Sequence, residues 1–315
     1  MATYRHRLPT LSDRLFLMDG GMETTLIFLD GLELPCFAAF TLMDTEQGRA
    51  HLRAYYARFA DLARAHGTGL VLDAPTWRAN ADWGEKLGYD AAGLAAVNRD
   101  SITLLAELRE RYQTADVPIM LSGVVGPRGD GYLPGRTMTA VEAQRYHAAQ
   151  IETFAATQAD AVSAYTLNYV EEAIGVARAA KAAGLPSIIS FTLETDGRLP
   201  TGQSLREAIE QVDGETGGAP AYFMLNCAHP THFAHLLAEG GAWQDRVRGL
   251  RANASARSHA ELDAAEDLDA GDPVELGGQY RDMRSKLRNL HVLGGCCGTD
   301  YRHVEQICLA CLPVA

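Results

Sequence analysis

Cys227, Cys296 and Cys297 are the residues whose type and spacing could do chemistry. Cys227 sits in the run Asn226-Cys227-Ala228-His229, and Cys296 and Cys297 stand side by side in GGCCGT at 294–299. Six cysteines in 315 residues are too few for a disulfide scaffold, and in a reducing compartment they stay thiols, available to a metal or to reaction. Three thiolates with one exchangeable position make an open zinc site of the kind that supports catalysis, and the open position suits a substrate sulfur. Adjacent residues of a regular strand point to opposite faces, so Cys296 and Cys297 can share a metal only where the backbone leaves strand geometry. Gly294, Gly295 and Gly298 supply that freedom. Two other readings stay open: three buried small apolar side chains, or a vicinal redox pair at Cys296 and Cys297, which leaves Cys227 without a role.

Other groups carry plainer expectations. Cys36 is assigned no chemistry, and Cys308 and Cys311, spaced i, i+3 in the apolar stretch HVEQICLACL, are expected to face the core. His229, His232 and His235 could hold a metal, but Pro230 and the onset of a helix favour a half-exposed surface face. Asp263, Glu266, Asp267, Asp269 and Asp272 lack the ordered spacing of an EF-hand and read as a solvated face near a helix start.

For the thiols to meet, the chain must bring distant segments to one place. Apolar runs of strand length recur at 14–21, 69–76, 118–126, 160–167, 187–194, 221–228, 246–254 and 290–298, each followed by a polar turn and a stretch of helical periodicity. Their near-continuous hydrophobicity suits parallel strands buried on both faces. Thr139 with Glu142, Ser204 with Glu207 and Ser258 with Glu261 have the spacing of capping boxes, and Gly184-Leu185-Pro186, Pro118 and Pro220 mark helix-to-strand loops. Eight such units close into a single (β/α)8 barrel of the α/β class spanning 1–315. The first strand runs into Asp19-Gly20-Gly21-Met22-Glu23 and not into the GxGxxG turn of a doubly wound sheet. On a barrel Cys227 ends the sixth strand and the Cys-Cys pair ends the eighth, so all three converge on the mouth where active sites of this fold are built. Two connections are long: a Gly/Pro-rich stretch at 127–138, expected to lie over the mouth as a lid, and an acidic helical insertion at about 255–289.

Composition bounds the ligands. Lys and Arg number 28 against 40 Asp and Glu, a net charge of −12, which lacks the basic footprint of a nucleic-acid or anionic-membrane binder and points to small molecules. With no apolar signal run at the N-terminus and no stretch of transmembrane length, the expected location is the cytoplasm. A homo-oligomer is compatible with all of this.

DGGMETTL at 19–26, GVVGP at 123–127, NCA at 226–228 and GGCCGT at 294–299, in this order, resemble the homocysteine S-methyltransferases, a family that includes betaine, S-methylmethionine and cobalamin-linked enzymes. The resemblance covers essentially the whole chain, and its specific part is the Cys-Cys pair with the upstream Asn-Cys. It implies a zinc enzyme that methylates the thiol of homocysteine to give methionine, with Cys227, Cys296 and Cys297 as zinc ligands. It also implies that Glu23 and the Asp19-Gly20-Gly21 turn bind homocysteine, and Asn226, next to Cys227, is expected among the substrate-binding residues.

The chain departs from the family at the end of the fourth strand, where Ala164-Tyr165-Thr166 replaces a stretch that usually carries a Glu. Tyr165 has no charge at pH 7 and cannot make the ammonium contact assigned to that Glu; Glu194 or Asp196 are the expected substitutes. The departure also keeps open another thiol or a selenol as acceptor, and a non-catalytic zinc protein is the reading from a different class. A transferable methyl sits on a cationic heteroatom, and aromatic faces stabilise such cations. Trp77 and Tyr165 are therefore expected to line the site of a small onium donor, S-methylmethionine or S-adenosylmethionine ahead of betaine and folate.

Overall fold

A computed structural model describes residues 2–312. Its strands are β1 (Phe16–Leu17), β2 (Gly69–Asp73), β3 (Ile119–Val125), β4 (Ala161–Leu167), β5 (Ser187–Phe191), β6 (Pro220–Asn226), β7 (Val247–Ala252) and β8 (Val292–Gly295). Each pairs in parallel with its neighbour in chain order, and β8 pairs back onto β1, closing a (β/α)8 barrel. All strand residues except Ala221 and Arg248 are buried, which is why the sequence shows continuous apolar runs instead of alternation.

Side-chain alternation splits the core in two. Leu17, Leu70, Leu72 and Leu121 point outward and pack with Leu52, Phe59, Leu105 and Phe154 from the surrounding helices. Phe16, Met18, Val71, Met120, Tyr222 and Met224 point inward and fill the barrel, and Leu8 joins them from the segment before β1. Continuing the inward alternation upward reaches Asp73 on β2, Tyr165 on β4 and Arg251 on β7. The barrel is thus apolar below and polar in its last layer.

The predicted helix starts form: Thr139, Ser204 and Ser258 each make a complete capping box with the Glu three residues on. Pro118 directly precedes β3 and Pro220 opens β6, while Gly184, past the helix Val170–Ala182, takes φ 66°. The stretch 255–289 contains the helices His259–Asp263 and Pro273–Lys286. Among the described residues no helix is long and apolar enough to cross a membrane.

Candidate active site

The three thiols meet. The Sγ atoms of Cys227, Cys296 and Cys297 all lie within 4.8 Å of one another, with Cys227 and Cys296 in disulfide contact, Cα atoms 5.5 Å apart, and Cys297 free. β6 ends at Asn226, and Cys227 turns away with φ 54°, a left-handed conformation costly for a residue with a Cβ and found where a side chain must be re-aimed. Asn226 supports that turn: its Oδ1 accepts from Thr166 N (2.9 Å) and Ser190 Oγ (2.6 Å), and its Nδ2 donates to Thr166 Oγ1 (2.8 Å). β8 stops at Gly295, so the Cys-Cys pair lies beyond the strand and both sulfurs can face one point, as the glycines suggested.

The turn carrying Asp19-Gly20-Gly21 is knitted to the cysteine turn. Gly21 N donates to Thr299 O (2.9 Å), and Gly298 N donates to Thr24 Oγ1 (3.2 Å). A Cβ on Gly21 would stand 2.4 Å from Cys296 O, so glycine here is a requirement of close backbone approach.

Beside the thiols opens a cavity of about 420 Å³, within the range of small-molecule sites. Its floor is a buried charge network. Arg251 Nη1 donates to Asp19 Oδ1 (2.6 Å) and Asp73 Oδ2 (2.9 Å), and Nη2 donates to Gly20 O (3.0 Å). Tyr55 Oη donates to Asp19 Oδ2 (3.0 Å), and Tyr165 Oη donates to Asp73 Oδ2 (2.8 Å). Burial pushes the Asp73 carboxyl up to about 7, against the pull of Arg251. Glu23, half-buried on the wall, is also pushed to about 7 by burial.

The mouth is built by the two long connections. From 127–138, Tyr132 stacks on His259, centroids 4.0 Å apart, and its hydroxyl lies 3.6 Å from Cys297 Sγ. Asn168 Nδ2 holds this loop through the carbonyls of Asp130 and Gly131. His259 Nε2 lies 2.6 Å from Cys227 O, and its Nδ1 lies 3.2 Å from Glu194 Oε1. Trp77, Phe28 and Phe37 add aromatic lining, and Asp130, Asp263, Asp267 and Asp269 add charge.

Asp19, Gly20, Gly21, Glu23, Trp77, Tyr165, Asn226 and the three cysteines all line this one cavity. Glu194 and Asp196 are not among its lining residues: Glu194 faces His259, and exposed Asp196 accepts from Arg198 N. The acidic cluster is solvated as expected, with Asp263, Glu266, Asp267 and Asp272 exposed and Asp272 capping the helix that follows, but Asp263, Asp267 and Asp269 also border the cavity. The histidine row differs in part. His235 is exposed, but His229 and His232 are buried, tied to Thr231 and to Ala256 O, because the turn after β6 folds under the 255–289 stretch; among the described residues the cysteines form the metal-ligating cluster found. Cys308 and Cys311 are buried as expected, and Cys36 is exposed. Asp73, Arg251, Tyr132 and His259 escaped the sequence reading. A charge inside a buried strand such as VRGLRA is the signal that could have found Arg251, and a carboxylate ending GLVLD the signal for Asp73.

A closed parallel barrel with polar chemistry gathered at its strand ends defines the (β/α)8 enzymes. Within that class, the family model described as homocysteine S-methyltransferase matches residues 16–311, and the chain belongs to this family; it is a methyltransferase. Solved structures with the same fold include the homocysteine methyltransferase MmuM from Escherichia coli. The chain matches its oxidized form with a TM-score of 0.73 at 19% identity, covering 94% of this chain and 95% of that one. The metallated form matches with a TM-score of 0.70 at 19% identity over 95% and 96%. No curated protein sequence matches the chain.

Proposed function

We propose that this enzyme transfers a methyl group from a small sulfonium or quaternary ammonium donor to the thiol of homocysteine, giving methionine, with zinc held by Cys227, Cys296 and Cys297. The observation that carries this reading is the convergence of three sulfurs from two strand ends beside a cavity lined by seven carboxylates and two guanidinium groups. Three thiolates of a tetrahedral zinc site lie roughly 3.8 Å apart, a spacing the cluster reaches once Cys227 and Cys296 part. Burial pushes the Cys297 thiol up, so this sulfur wants a cation to become a thiolate. When bound, zinc holds the acceptor sulfur as an electron-rich thiolate at neutral pH.

The protein's own groups orient the partners. The Asp19-Gly20-Gly21 turn and Glu23 hold the amino-acid end of the acceptor. Asn226 fixes the backbone that aims Cys227. The acidic, aromatic mouth, with Trp77, Tyr132 and Phe37, favours a cation over a neutral or anionic donor. In the transfer the acceptor sulfur forms its bond to the methyl carbon as the donor's carbon–heteroatom bond breaks. The bonding pair leaves with the heteroatom, so the donor departs neutral, and the thiol proton goes to solvent. The docked 127–138 loop excludes water and holds the two reactants in line.

The test is to incubate reduced, zinc-loaded protein with homocysteine and a panel of sulfonium, quaternary ammonium and folate donors, and to look for methionine by mass spectrometry. Methionine with an onium donor is expected. Turnover with methyltetrahydrofolate alone overturns the donor class, and methylation of a different thiol or selenol without methionine overturns the acceptor.

A further inference from the structure

One carboxylate on the cavity floor has hydrogen-bonding capacity that the fold leaves unused. Asp73 ends β2, is 5% exposed and lines the cavity. Its Oδ2 accepts from Tyr165 Oη and Arg251 Nη1, but its Oδ1 is buried without a partner among the described residues. Asp19, by contrast, has both oxygens engaged, one by Arg251 and one by Tyr55. The same Arg251 nitrogen serves both carboxylates, so Asp73 has half a counter-ion and one bare oxygen. What completes such a group is a small cation that donates hydrogen bonds. A primary ammonium has three N–H groups to give, whereas a sulfonium or quaternary ammonium centre has none, so the group that completes Asp73 is the α-ammonium of an amino acid.

Tyr165 explains why the vacant carboxylate is on β2. It stands at the β4 position where the resemblance expects Glu, and its hydroxyl donates to Asp73, while the Arg251 guanidinium lies 5.3 Å from its ring. It holds a neighbour's carboxylate in place of presenting its own. Glu194 and Asp196 point elsewhere, as described above.

We propose that Asp73 is a specificity-determining residue that takes the α-ammonium of the amino-acid thiol, with Tyr165 as its positioning residue. The inference rests on the functional reading above, in which the acceptor is homocysteine. It assigns to β2 and β4 together the contact that one Glu on β4 would make.

The experiment measures, by calorimetry on the zinc-loaded protein, the binding of homocysteine and of 4-mercaptobutanoate, the same thiol acid without the amino group. In Asp73→Asn the homocysteine Kd should rise about tenfold or more, as expected for a lost charge-assisted hydrogen bond, with the 4-mercaptobutanoate Kd changed by less than about twofold. Tyr165→Phe should move homocysteine binding in the same direction by a smaller factor and spare the analogue. A merely structural role would weaken both thiols together; that result, or an unchanged homocysteine Kd, overturns the proposal. Should Asp73→Asn fail to fold, Asp73→Ser is read in the same way. Methionine formation by the wild type is the separate control: its absence overturns the functional reading, whereas its presence with an unaltered Asp73→Asn Kd overturns this inference alone.

Discussion

Cys227 accepts a left-handed backbone at φ 54° that any non-glycine residue resists, and this places its sulfur with Cys296 and Cys297. Because three sulfurs define one position, reduced protein should take up about one zinc per chain, and each Cys→Ser replacement should abolish tight binding in a chelator competition. Full retention in Cys227→Ser would leave the vicinal pair as the reactive unit. Glu23 makes a different prediction. In the proposed reaction its carboxylate serves the acceptor, so Glu23→Gln should raise the homocysteine KM about tenfold, the scale of one charge-assisted hydrogen bond, with zinc content unchanged. An unaltered KM returns Glu23 to the barrel wall. Cysteine was readable in the sequence because its chemistry is inherent in its type. Arg251 and Asp73 were not, because their roles come from facing each other across the barrel, a relation that no local spacing encodes.

Two backbone turns, 19–24 and 296–299, form one unit through Gly21 and Thr299. A methyl on Gly21 would meet the Cys296 carbonyl at 2.4 Å, and a backbone carbonyl cannot swing aside as a side chain does. Gly21→Ala should therefore displace the cysteine turn, costing about 1–3 kcal/mol, the scale of an overpacked core. Zinc affinity and Tm should fall together; a variant with native zinc uptake would show the two turns to be independent. At the mouth, Trp77 Nε1 donates to Tyr165 O (3.3 Å) and its ring lies 5.0 Å from the Arg78 guanidinium, so the indole braces the floor of the cavity in which the donor is proposed to sit. Trp77→Ala should raise the donor KM more than the homocysteine KM, and equal changes in the two would remove Trp77 from the donor site. The strands and capping boxes were readable because burial on both faces and helix starts leave local marks. The place of the acidic cluster was not, since Asp263 and Asp267 look like any solvated helix start until the 255–289 stretch folds over the barrel.

For the molecule as a whole, two carboxyls of the cavity make stability depend on pH. Glu23 and Asp73 are pushed to about 7 in the folded chain, above the ordinary carboxylate value they regain on unfolding. Between about pH 4 and 7 the folded state consequently binds more protons than the unfolded one, and stability falls as pH rises through that window. The destabilisation is absent below the unfolded value and complete above the folded one. It opposes the usual behaviour of Asp300, whose carboxyl is held low by His303 and Arg302 despite burial and whose contribution is lost as pH falls. Replacing Glu23 by a neutral isostere removes one of the two costs, because Gln has nothing to ionise. In the absence of substrate and at pH 8, Glu23→Gln should be more stable than the wild type by about 1–3 kcal/mol, the scale set by a carboxyl pushed to about 7 and reduced for the partial exposure of the side chain. The gap should close as the pH approaches 4, where the wild-type carboxyl is protonated in both states. Thermal unfolding of both proteins across this range is the measurement, and a variant less stable than the wild type at pH 8 would show that Glu23 is held by the fold instead of being kept charged for a ligand.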